Sequence, residues 1–425
     1  MLSDLEYAAL GFETFHDDVL APRVVTRTVP LSVEVHQCSE HLSVEDAGKR
    51  RFTAVEDGWR WGPVWSSAWF RLRGNIPPEM RRDPLDLHFS CGTEALLWVD
   101  GTPHHGFDPY HHHAGLNSES LGDEVEFLIE AACNRPLGAS LFWWEHAEEH
   151  GRWKEDAPGR LEVAELESRD EALSRFCSAW MFGVRMLRTT DPRDELGHRI
   201  ESGMRRIKKA ILGSGDGIDV ASRMRELEQV LAVGNKKSSM CTAIGHAHID
   251  TAWLWPISET KRKCLRTFAT QLRNLERFDD FRFLCSQPQQ YAWIEQGSPE
   301  LFRQITNWVE SGRWEPFGAM WIEPDANIPS GESLIRQILH GTRYFEDRFG
   351  KKAPQEALYL PDTFGFPASL PQICRLAGLD TFITNKIAWC ETNRFPHVTF
   401  DWRGIDGTEV LTHFTPGHNY NSSIM

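Results

Sequence analysis

From Lys237 onward, short apolar runs of strand length alternate with longer amphipathic stretches. That alternation restricts the second half of the chain to a parallel sheet or an α/β barrel. The runs are Met240–His248, Phe281–Gln287, Trp314–Ile322, Glu356–Asp362, Asp380–Lys386 and Glu409–Thr415, with helical patterns such as Glu259–Phe278 between most of them. In such folds the polar residues at the C-terminal ends of the strands face the active site. The chemistry of this chain is therefore expected at those ends.

The first half has a different texture. Residues 1–30 read as an N-terminal arm, and residues 31–169 as a β-sandwich domain of jelly-roll type. Ser67–Gly74, Leu85–Cys91, Glu94–Gly101 and Glu124–Cys133 are its strand candidates, and Asp100-Gly101 is a tight-turn signal. Trp59, Trp61, Trp65 and Trp69 cluster in WRWGPVWSSAW, as a sugar platform or as a seam of the core. Residues 170–236 carry apolar positions at helical spacing, in His198–Leu212 and Asp219–Val233, and read as a helical connector. The expected fold is thus α/β plus all-β: sandwich, connector, then an incomplete parallel β/α barrel over residues 237–425.

Composition narrows the partners. A formal charge of −15 argues against nucleic acid or an anionic membrane surface and leaves neutral sugars open. Seventeen Trp residues are enough to build aromatic walls for flat ligands, although packing at a domain interface accounts for part of them. The nine Cys are scattered without CxxC spacing, which fits reduced thiols and a cytoplasmic setting. The N-terminus lacks the pattern of a signal peptide, and no apolar run approaches the roughly 18 residues of a membrane helix. Whether the chain forms a homo-oligomer is left open.

Three strand ends carry the chemistry. Gly245-His246-Ala247-His248-Ile249-Asp250 places His248 and Asp250 at i and i+2, on one side of an extended segment. Nitrogen and oxygen ligands together suit Zn²⁺. The alternative is a structural hydrogen-bonded pair. Leu360-Pro361-Asp362 projects a carboxylate into a turn, and the alternative there is an Asp that caps the next helix. Trp321-Ile322-Glu323-Pro324-Asp325-Ala326-Asn327 offers two carboxylates and an amide beside an aromatic ring.

GHAHIDTAWLWP (Gly245–Pro256), FGAMWIEPDANIPSGESLIRQ (Phe317–Gln337) and LYLPDTFGFPASLPQI (Leu358–Ile373) together resemble glycoside hydrolase family 38, the α-mannosidases, in their cytosolic-type branch. Thr381–Lys386 and Trp402–Phe414 add to the resemblance. It implies a retaining mechanism on terminal α-linked mannose of oligosaccharides, with Zn²⁺ (or Co²⁺) held by His248, Asp250 and Asp362. Asp362 would also be the covalent nucleophile. Trp253 would stack on the mannose, Asp325, Phe364 and Lys386 would line its pocket, and Tyr420 would match a substrate-contacting Tyr.

The same resemblance implies an acid/base Asp and a second His ligand downstream of Met425, so the chain reads as a fragment with little activity of its own. His397, His413 and His418 do not sit in the motif of that ligand. Two other classes fit parts of the pattern. His246-Ala247-His248 is also the H-x-H of metal-dependent amidohydrolases, but the later strand ends offer Gln287, Glu323, Asp362 and Lys386 and no His. A carbohydrate-binding protein without turnover is the non-enzyme alternative.

Overall fold

Alternating side chains make the N-terminal half a sandwich. In the computed structural model, which describes residues 3–138, 147–215, 217–232, 243–393 and 395–415, two antiparallel sheets face each other. The four-stranded sheet has the order Val25–Pro30, Val163–Arg169, Leu85–Ser90, His113–Leu116. The six-stranded sheet has the order Thr53–Val55, Ser32–Cys38, Ser67–Asn75, Glu124–Ala132, Glu94–Val99, Thr102–Phe107. Leu85, Leu87, Phe89 and Leu166 from one sheet meet Phe70, Leu72, Leu97 and Ile129 from the other in a single buried core. Each strand thereby spends every second residue on that core. Asp100 and Gly101 both have positive φ, 48° and 72°, as a two-residue hairpin turn requires. Trp61 and Trp69 are fully buried and Trp59 packs on the core, so the tryptophan cluster is mainly a seam.

Asp4–Phe15 is a helix with a capping box, in which Ser3 and Glu6 satisfy each other's backbone N–H. It shares a core with Glu171–Thr189, Glu195–Gly213 and Val220–Leu231, where Phe12 and Phe15 pack on Trp180. The N-terminal segment and the connector region thus form one helical layer.

The second half is an open arc of parallel strands. Gly245–His246, Phe283–Cys285 and Trp314–Pro316 pair in that order, as do Ala357–Leu360, Thr381–Thr384 and Glu409–Phe414. A backbone hydrogen bond of 3.4 Å from Tyr359 N to Gly318 O joins the two groups. Thr399–Arg403 adds antiparallel to the last strand, and among the described residues the arc does not close into a barrel. The long crossover helices Ile257–Arg277 and Gly331–Phe349 bury their apolar faces on it.

The outer face of the six-stranded sheet packs on the Ile257–Arg277 helix, through Leu96 and a buried charge network. Glu94 accepts hydrogen bonds from Lys263 at 2.5 Å and from Arg266 at 2.9 Å, and Glu130 pairs with Arg262 at 3.0 Å. Glu259, on the helix itself, pairs with Arg262 and Arg266. Buried pairs of this kind add little net stability, but removing one partner strands a charge, so they fix how the two units dock. The contact is close: a Cβ on Gly106 would lie 2.9 Å from the Arg266 Cβ.

Candidate active site

The strand ends of the arc turn into loops that surround a cavity of about 750 Å³. His248 and Asp250 enter from the first strand, Glu323 and Asp325 from the loop after the third, Asp362 and Phe364 after the fourth, and Lys386 and Trp389 after the fifth. Pro136 and Leu137 of the sandwich complete the wall.

Two residues with unusual backbone set these loops. Ala252 and Gln287 have φ of 72° and 67°. Such conformations cost on the order of 1–3 kcal/mol for a residue with a Cβ and persist where the surroundings hold them. Ala252 N donates to Thr260 Oγ1 at 3.1 Å, at the bend that leads from Asp250 to Trp253. Gln287 knits two strand ends: its Nε2 donates to Ile249 O at 2.9 Å, and its Oε1 accepts from Thr251 Oγ1 at 2.9 Å and from Glu323 N at 3.2 Å. Gly365, with φ of 88°, follows Phe364, and a Cβ there would meet Asn327 Nδ2 at 2.5 Å.

His248, Asp250 and Asp362 each bring one donor atom within 4.8 Å of the others. His248 Nε2 lies 3.4 Å from Asp250 Oδ1 and 3.5 Å from Asp362 Oδ2. A tetrahedral Zn²⁺ with bonds of about 2.0–2.1 Å separates its ligands by about 3.3 Å, so this donor set fits such an ion in both chemistry and spacing. The other ring nitrogen, His248 Nδ1, lies 3.0 Å from Glu323 Oε2. That contact orients the imidazole in the way a carboxylate supports a metal-bound histidine. Glu323 Oε1 also accepts from Asp362 N and, at 3.2 Å, from Thr363 Oγ1, so one carboxylate positions two of the three donor groups. Lys386 Nζ pairs with Asp362 Oδ1 at 2.7 Å.

The cavity favours cations. Burial disfavours the charged imidazole of His248, yet the carboxylates of Asp250 and Glu323 outweigh it and lift the group to about 10. His246 goes the other way: burial pushes it down to about 4, with its Nδ1 3.0 Å from Leu284 O. Its ring packs edge-on against Tyr359 at 5.2 Å and does not line the cavity. The H-x-H of an amidohydrolase needs both histidines on one ion, and here only His248 faces the site.

The rim is aromatic. Trp253 and Phe364 are 51% and 61% exposed, far more than rings of that size in a core. Trp389 stands with Phe364 in edge contact at 6.2 Å, and Lys386 Nζ lies 3.1 Å from the Trp389 ring centroid.

Residues 239–424 match the glycosyl hydrolases family 38 N-terminal domain, and residues 29–152 the α-mannosidase jelly roll domain. The second half of the chain is thus a glycosyl hydrolase family 38 N-terminal domain. Among curated relatives, α-mannosidase G of Dictyostelium discoideum is 33% identical over 92% of this chain and 36% of its own length. α-Mannosidase 2C1 of Homo sapiens is 33% identical over 96% of this chain and 39% of its own length. The α-mannosidase of Saccharomyces cerevisiae is 32% identical over 88% and 36%. The chain therefore spans less than two fifths of the length of the relatives it matches.

Of the family 38 residues expected from the sequence, His248, Asp250, Trp253, Asp325, Asp362, Phe364 and Lys386 all line this one cavity. Asp325 also has a local task, since its Oδ1 accepts from the N–H groups of Asn327 and Ile328 at 2.8 Å. Tyr420 and His418 lie outside the described residues. Glu323 and Gln287 stood among the strand-end residues without an assigned role, and Trp389 was not singled out from sequence. Glu323 carried a signal, as a carboxylate at a strand end, but its link to His248 spans 75 positions and has no local signature.

Proposed function

We propose that this chain supplies the nucleophile and metal-binding side of a retaining α-mannosidase centre, acting on terminal α-linked mannose of oligosaccharides. The observation that carries the reading is the convergence of His248, Asp250 and Asp362 in one aromatic-rimmed cavity. The α-mannosidase relatives point the same way.

Asp362 is the nucleophile in this reading. Its carboxylate attacks the anomeric carbon while the departing oxygen takes a proton from an acid on the opposite face, and water then releases mannose with retention. When bound, Zn²⁺ (or Co²⁺) supplies Lewis acidity and a template for the 2- and 3-hydroxyls of mannose. The axial 2-hydroxyl separates mannose from glucose, so this contact bears on specificity. Glu323 holds His248 and the Asp362 backbone in place. Trp253 offers a half-exposed ring to the sugar, while Asp325, Phe364 and Lys386 border the same space. The opposing acid and the second histidine ligand implied by the family are assigned to no described residue. A cytoplasmic setting belongs to the same reading and rests on the cysteines, eight of which are free among the described residues.

The test is hydrolysis of p-nitrophenyl α-mannoside by protein carrying this chain. Activity should vanish on chelation, return with Zn²⁺ or Co²⁺, and be absent in Asp362→Asn. Sugar binding that Asp362→Asn leaves intact, with no turnover under any metal condition, would support the binding-only alternative instead.

A further inference from the structure

We propose that the outer face of the four-stranded sandwich sheet holds a separate divalent-cation site, selective for Zn²⁺-like ions and built from His88, His113 and Glu167. Strand register creates it. His88 stands opposite Glu165 on one side and opposite His113 on the other, and Glu167 follows Glu165 by two residues on the same face. Leu87, Phe89, Ala114 and Leu166 occupy the alternate positions and point into the core, so the polar set points outward.

The donor atoms of His88, His113 and Glu167 all lie within 4.8 Å of one another. Glu167 Oε1 is 3.0 Å from His88 Nδ1, and Glu167 Oε2 is 3.3 Å from His113 Nε2. Those separations match the edge of about 3.3 Å in a tetrahedral zinc site. Glu167 is only 5% exposed, and its two oxygens face His88 and His113. Glu165 Oε1 lies 3.0 Å from His88 Nδ1, beside these donors. Two imidazoles and a carboxylate favour Zn²⁺ over Mg²⁺ or Ca²⁺, which prefer all-oxygen shells.

None of these residues lines the cavity around Asp362. The ion would bridge three neighbouring strands and tie the short His113–Leu116 edge strand to the sheet, so its effect is on stability and not on turnover.

The experiment uses the 425-residue chain, stripped of metal and titrated with Zn²⁺, reading bound zinc by mass spectrometry and the melting temperature. His113→Gln lies on an exposed edge position and leaves the core untouched; Glu167→Gln keeps the side-chain size. Each variant should bind one zinc fewer than the wild type and lose part of the zinc-induced rise in melting temperature. Asp250→Asn should lose a different equivalent and keep that rise. Wild-type zinc content and wild-type thermal response in both His113→Gln and Glu167→Gln would overturn the proposal and leave the cluster as an ion pair only.

Discussion

Two groups of histidine and carboxylate stand in this molecule, each with its donor atoms within 4.8 Å of one another, and the architecture beneath each decides what it can do. In the sandwich, His88, His113 and Glu167 come from three adjacent antiparallel strands and lie on one sheet face. In the arc, His248, Asp250 and Asp362 come from the ends of two strands that are not neighbours, and loops rise around them to enclose a cavity. A flat sheet holds ligands rigidly but leaves no room beside them. Parallel strands end in loops of independent length, so the same ligands can border a space large enough for a sugar ring. The difference teaches that donor chemistry alone does not make an active site; the concavity does.

The largest effect that sharpens this contrast is on turnover. Asp362→Asn should lower kcat for an aryl α-mannoside by roughly 10³-fold or more, as loss of one member of a catalytic unit does. Glu167→Gln in the sandwich should leave kcat unchanged in the same assay. Equal losses from both would break the comparison. Next is metal affinity in the cavity. Glu323→Gln removes the carboxylate that faces His248 Nδ1 and should weaken zinc binding there by roughly 10–100-fold, measured by chelator competition.

A smaller effect is expected at the rim. Trp253→Ala should raise KM by roughly threefold to tenfold with little change in metal content, since aromatic contacts of this kind are worth about 0.5–1.5 kcal/mol. A change in zinc content instead would make Trp253 part of the metal scaffold. The smallest is a pH effect confined to the sandwich. Burial, helped by His104 and Arg273, pushes His105 down to about 4. An unfolded histidine titrates near 6.5, so between these values the unfolded chain takes up a proton that the folded chain refuses. Its share of stability is complete above about pH 6.5 and is lost as pH falls towards about 4. His105→Gln should flatten the urea midpoint over that window.

How much of this was legible in the sequence depends on range. His248 and Asp250 could be placed together because period-two geometry is local. The sandwich strands were legible because alternation is local too: Leu85–Ser90 and Glu94–Val99 begin where their patterns begin. The arc strands were harder. Of the apolar run Met240–His248, the described residues 243–248 form hydrogen-bonded strand at Gly245–His246, since burial on both faces makes a run apolar without fixing its pairing. The N-terminal segment read as an arm is a capped helix, and Ser3 with Glu6 three residues later was a signal left unused. The roles of Glu323, Gln287 and Trp389, like the meeting of His88 with His113 and Glu167, rest on long-range register. No window of the sequence contains that information.

The central claim is that three side chains share one ion at the mouth of the arc. Diffraction from zinc-soaked crystals, recorded on both sides of the zinc absorption edge, tests it directly. The account predicts an anomalous peak about 2.0–2.2 Å from His248 Nε2 and from a carboxylate oxygen of both Asp250 and Asp362. Zinc bound elsewhere, with no peak among these three groups and Asp362 still paired to Lys386, would contradict it.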